Sequence, residues 1–172
     1  VGVACKLFAL AGSRADGGAL EVIQAEIESH GAMAGCIKCL RLHLQVHGRA
    51  AAAPQAHVQL ASGSGIYVNF LSRLVLSGGN RFALHLMHAP DGTDVARRVL
   101  VTLARSPPGQ AGKQTDAVLV DLLLVLSQLA RVSKHAYAKI GGGEGERGLA
   151  ECLAALLKWP QASVRARCCN LV

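Results

Sequence analysis

The stretch SGGNRFALHLMHAPDGTDVARRVLVTLARS, residues 77–106, decides how the rest of the chain is read. Gly78 and Gly79 open an apolar run, NRFALHLMHA, whose composition suits a helix. Pro90 stops it, because proline offers no backbone donor and fixes its own φ. A second run, TDVARRVLVTLARS, then begins at Thr93 or Asp94, either of which can supply an N-cap oxygen. Pro107-Pro108 closes that run. The layout is glycine, helix, proline turn, helix. A helical pair of this kind cannot bury its apolar face alone, so it calls for neighbours of the same type.

Such neighbours stand elsewhere in the chain. GERGLAECLAALLKWPQASVRARCCNLV, residues 145–172, repeats the layout with a shorter turn, placing Leu153, Leu156 and Leu157 before Pro160 and Val164 after it. SHGAMAGCIKCLRLHLQVHG, residues 29–48, matches the first helix of the unit. There the second helix is displaced by GRAAAAPQAHVQLASGSG, residues 48–65, a segment of low complexity that reads as a loop or flexible insertion. IYVNFLSRLVLS follows as a helix, and TDAVLVDLLLVLSQLARVS, from Thr115, is a longer one that is apolar nearly all round. Two shorter helices are expected near the start, over residues 2–11 and in ALEVIQAEIESH. The glycine-rich GGGEGERG, residues 141–148, reads as a flexible linker. No segment alternates at the period of a strand over any length. The expectation is an all-α chain of about nine helices, with Leu123, Val125, Leu126 and Leu129 on the central one.

This layout resembles the armadillo/HEAT family. The Gly78-Gly79 entry with Leu84 and Leu86 after it carries the likeness, as does the turn from Pro160 through Val164 to Arg165. It implies one right-handed α-solenoid segment of about four helical repeats spanning residues 1–172. A narrower likeness covers residues 115–172, which are similar to the C-terminal repeat region of Fused-type serine/threonine protein kinases. That family joins a kinase domain to an armadillo-like arm and is linked to Hedgehog signalling and assembly of the ciliary central pair. It implies kinesin or axonemal, microtubule-associated partners and a cytoplasmic or ciliary setting. The chain opens on VGVACKLFAL and ends on ARCCNLV in mid-pattern, as expected for part of a longer polypeptide.

Signals for chemistry fail on inspection. GCIKCLRLHLQVHG, residues 35–48, sets Cys36, Cys39, His43 and His47 at spacings that suggest zinc. On one helix, however, these side chains span roughly 16 Å of axis at 1.5 Å per residue. Tetrahedral zinc holds its ligands within about 2.3 Å. With Leu40 they form one stripe, Ile37 and Leu44 lie at its edge, and Lys38, Arg41 and Gln45 lie opposite, so the stretch reads as a core face. PPGQAGKQ lacks the first glycine and the final Ser or Thr of a phosphate loop around Lys113. No glycine-rich loop, HRD or DFG sequence of a kinase is present. No catalytic, cofactor-binding or metal-binding residue is assigned, and no small-molecule substrate is expected. Enzymatic activity, if the parent chain has it, belongs to a kinase domain outside this segment.

Charge supplies the remaining clue. The chain of 172 residues is 51% hydrophobic, carries a net charge of +7 and has only 3% aromatics. Too few rings are present to stack bases, which argues against nucleic acid. The run AVLVDLLLVLSQLA is too short to span a bilayer and carries Asp121. Arg97 and Arg98 fall on the second helix of one unit, Arg165 and Arg167 on that of another. In a stack these four would form a ladder facing an acidic protein partner. The competing reading has one arginine of each pair bracing its proline turn through backbone carbonyls.

Overall fold

The computed structural model describes residues 22, 25–48, 54–106, 112–132, 140 and 146–171, and every regular element within them is a helix. The chain is all-α. Seven helices follow one another: α1 (Ala32–His47), α2 (Pro54–Ser77), α3 (Gly79–His88), α4 (Gly92–Ala104), α5 (Lys113–Val132), α6 (Glu146–Leu156) and α7 (Ala162–Cys169). Residues 25–29 are also helical and bring the buried Ile27 to the core. The helix expected over residues 2–11 lies outside the described residues, as do residues 133–139 and 141–145.

Backbone chemistry sets the boundaries. Gly31, with φ of 60°, turns the chain into α1 in a conformation that glycine adopts freely. Ala89 is extended, with ψ of 135°, as the residue before a proline tends to be, and α3 ends there. Asp91 then takes φ of 60°, and a side chain at the buried Gly92 would meet the carbonyl of Leu86. The turn therefore closes tightly, and α4 starts at Gly92 with Asp91 as N-cap. The expected cap, Thr93 or Asp94, is corrected by this geometry. Thr93 is buried in the first turn, and Asp94 lies there too, where a carboxylate favours the positive end of the helix dipole.

The expected insertion at 48–65 is also corrected. From Pro54 onward these residues are the first half of α2, a continuous helix of 24 residues. Proline is well suited to the first helical position because its missing N–H would be unpaired there anyway. Ala56, Leu60, Ala61, Ser64 and Val68 bury one face at helical spacing. The small residues have a packing role, since Gly63 lies directly against the ring of His43 on α1. The linker reading is corrected at its end as well, because residues 146–148 belong to α6.

α5 occupies the centre. It packs against α2, α3, α4 and α7, and buries Leu119, Leu122, Leu123, Val125, Leu126 and Leu129 almost completely. Two polar joints pin it. Asp121 accepts hydrogen bonds from Asn69 (2.9 Å) and Ser72 (2.9 Å) of α2. Asp116 accepts one from the indole N–H of Trp159 (2.8 Å), which is itself 1% exposed. Around this centre the helices fall into two successions: α1 packs on α4 and α4 on α6, while α2 packs on α5 and α5 on α7. α1 with α2, α4 with α5, and α6 with α7 make the contacts between them. One apolar cluster runs through residues of all seven helices. Among the described residues no helix is long and apolar enough to cross a membrane.

The cysteine–histidine stripe of α1 is rotated from its expected position. Cys36, Ile37, Leu40 and Leu44 form the buried face, while Cys39, His43 and His47 are half-buried along its flank. The rings of His43 and His47 stack with centroids 6.0 Å apart, and Tyr67 of α2 lies 5.9 Å from His43. These rings wall the α1–α2 joint.

Candidate functional site

The succession α1–α4 leaves an open groove of about 630 Å³ between the two helices. Its charged lining consists of Arg41 from α1, Asp91 from the α3–α4 turn, Asp94, Arg97 and Arg98 from α4, and Arg105 just beyond it. Leu44, Val95 and Val101 form an apolar floor. Two of the four residues singled out in the sequence, Arg97 and Arg98, therefore face one surface feature.

The charges of the groove are unequally matched. Arg41 pairs with Asp91 at 2.8 Å, holding the α3–α4 turn against α1. Arg97, 19% exposed, pairs with Asp94 at 2.8 Å one turn away on the same helix. Arg98 lies 3.8 Å from the other oxygen of the same carboxylate and is 60% exposed. Arg105 is exposed and makes no ion pair among the described residues. Four arginines face two aspartates, and the surplus rests on Arg98 and Arg105. Exposed charges of this kind add little stability to the fold.

Arg165 and Arg167 lie elsewhere. Arg165 donates to the carbonyls of Trp159 (2.6 Å) and Pro160 (2.7 Å), bracing the turn between α6 and α7. Arg167 is exposed on α7. The two arginine pairs thus sit on different helices, α7 packing on α5 and α6, and α4 on α1, α5 and α6. The sequence reading missed Arg41 and Arg105. The second was within reach, since Arg98, Val101, Thr102 and Arg105 share one face of α4 at helical spacing. Nothing local marks Arg41, which joins the groove only through the packing of α1 on α4.

Cys36, Cys152 and Cys168 are buried. Among the described residues no group of three or more Cys, His, Asp or Glu side chains is placed to hold a metal ion. Burial, helped by Cys168, pushes the Cys152 thiol up to about 12 against a small opposing effect of Arg105. Burial and Cys169 push Cys168 up to about 11. The Tyr67 hydroxyl is also raised, first by its hydrogen bond to Cys39 and then by the charge of that group. None of these shifts activates a nucleophile, which needs a lowered pKa. Compared with known proteins, the chain matches no family model, no curated protein and no solved structure.

Proposed function

We propose that this chain is a non-catalytic scaffold for protein–protein interaction, built as a short armadillo/HEAT-like stack. The two successions α1–α4–α6 and α2–α5–α7 support the stacked reading, with α3 as an additional helix in the first unit. The observation that carries the function is the groove between α1 and α4, which offers an arginine surplus over an apolar floor. Partners with acidic surfaces are drawn to such a groove, and the enrichment of arginine at energetically important interface positions favours the same use. The resemblance of residues 115–172 to the repeat arm of Fused-type kinases names a class of partner, a kinesin or an axonemal microtubule-associated protein. On that reading the parent chain is a serine/threonine kinase and this segment is its docking arm in the cytoplasm or cilium.

Mixing the purified chain with kinesin tail fragments and with central-apparatus proteins in sedimentation-velocity runs tests this. A complex that weakens as salt rises is the expected outcome. Absence of any complex across that set, or phosphoryl transfer by the segment itself, would remove the scaffold reading.

A further inference from the structure

We infer that the α1–α4 groove binds an extended peptide carrying two carboxylates three residues apart, one held by Arg98 and the other by Arg105. This rests on the scaffold reading and names the chemistry its groove selects. The argument begins with which cations are already matched. Arg41 and Arg97 each hold a carboxylate of this chain at 2.8 Å. Arg98 has only a share, at 3.8 Å, of a carboxylate that Arg97 already engages. Arg105 makes no ion pair among the described residues. The unmatched charge is thus divided between two guanidinium groups, and they are not adjacent.

Arg98 and Arg105 lie on one face of the α4 segment, two turns apart, a rise of roughly 10 Å at 1.5 Å per residue. Between them Val101 and Thr102 are half-buried, and the Thr102 hydroxyl is directed back to the carbonyl of Arg98 at 2.8 Å. That intervening surface presents no further cation. A single phosphoryl dianion is best held by guanidinium groups converging on one point, which this spacing does not favour. Two monoanions at that separation match it. In a polyproline II strand, side chains three residues apart share a face and stand about 9 Å apart. The residues between them then lie over Val101. The 630 Å³ of the groove falls within the roughly 300–1,000 Å³ typical of ligand clefts and suits a few extended residues.

Fluorescence anisotropy on the full chain tests this, with a labelled peptide holding two glutamates separated by two prolines in a neutral flank. Controls replace both glutamates by glutamine, shorten the spacer to one proline, or carry a single phosphoserine. The glutamate pair should bind at least tenfold more tightly than the glutamine control. Arg98→Gln and Arg105→Gln should each weaken it about tenfold, with far-UV circular dichroism unchanged. Equal binding of the glutamine control, indifference to both substitutions, or preference for the phosphoserine peptide would overturn the proposal. The sedimentation experiment separates the two readings. A protein complex that persists in Arg98→Gln/Arg105→Gln overturns the groove assignment alone, whereas no complex with the unaltered chain overturns the scaffold reading beneath it.

Discussion

At Cys152 and Cys168 the same burial that fills the core keeps the thiols protonated, at about 12 and about 11 respectively. Cys169, next in the chain, is exposed. Alkylation by iodoacetamide at pH 8, followed by peptide mass spectrometry, is therefore expected to modify Cys169 well before the other two. Equal rates at all three would place the C-terminal pair of helices away from the core. The shift also has a sign in stability. The folded chain holds these protons more tightly than an unfolded one, whose thiols titrate near 9. Their contribution is complete below pH ~9 and is lost as pH rises towards about 11 and 12. Melting temperatures measured from pH 8 to 11 should fall less steeply in Cys152→Ala than in the unaltered chain, even if that variant starts lower. Adjacent on one helix, Cys168 and Cys169 must face differently, and packing puts Cys168 inside. Residue identity could not place His43, whose flank position depends on Gly63 of a helix that the composition had disguised.

Among the elements, α5 was the plainest in the sequence and α2 the least. A run that is apolar nearly all round has no surface face to offer, so α5 had to be central. Leu126→Ala should cost about 2–5 kcal/mol, since the side chain is fully buried and the surrounding helices can collapse only partly. Chemical denaturation would check it, and an unchanged midpoint would take α5 out of the core. The first half of α2 was hidden because alanine, serine and glycine are shared by linkers and by close helix contacts. Only the partner helix distinguishes the two uses. The α2–α5 joint has its own test. Asp121→Ala leaves the Asn69 amide short of its acceptor, while the Ser72 hydroxyl keeps the Asn69 backbone carbonyl at 3.0 Å. A loss of about 1–3 kcal/mol is expected by the same measurement, and Leu126→Ala should remain the larger effect.

For the whole molecule, the sequence carried the fold class further than the site. Helices and their proline and glycine breaks are local features, and most boundaries follow from them. The groove is not local, since Arg41 meets the α4 arginines only after α1 has packed across more than forty intervening residues. Packing also spreads contacts beyond the expected pairs: α4 meets α1, α5 and α6 as well as α3, and α3 meets α2 and α5 as well as α4. A core continuous through all seven helices should unfold in one step, and a single apolar cluster supports that. Trp159 makes the point measurable without any label. It is the only tryptophan of the chain, and it is sealed between α5 and the last helical pair with its N–H on Asp116. Its emission therefore reports one seam of the molecule and nothing else. A red shift in urea that coincides with the loss of helical ellipticity would mean the seam opens only when everything does. A red shift that comes earlier would mean the last pair lifts away like a hinged end-piece while the remaining helices stay packed.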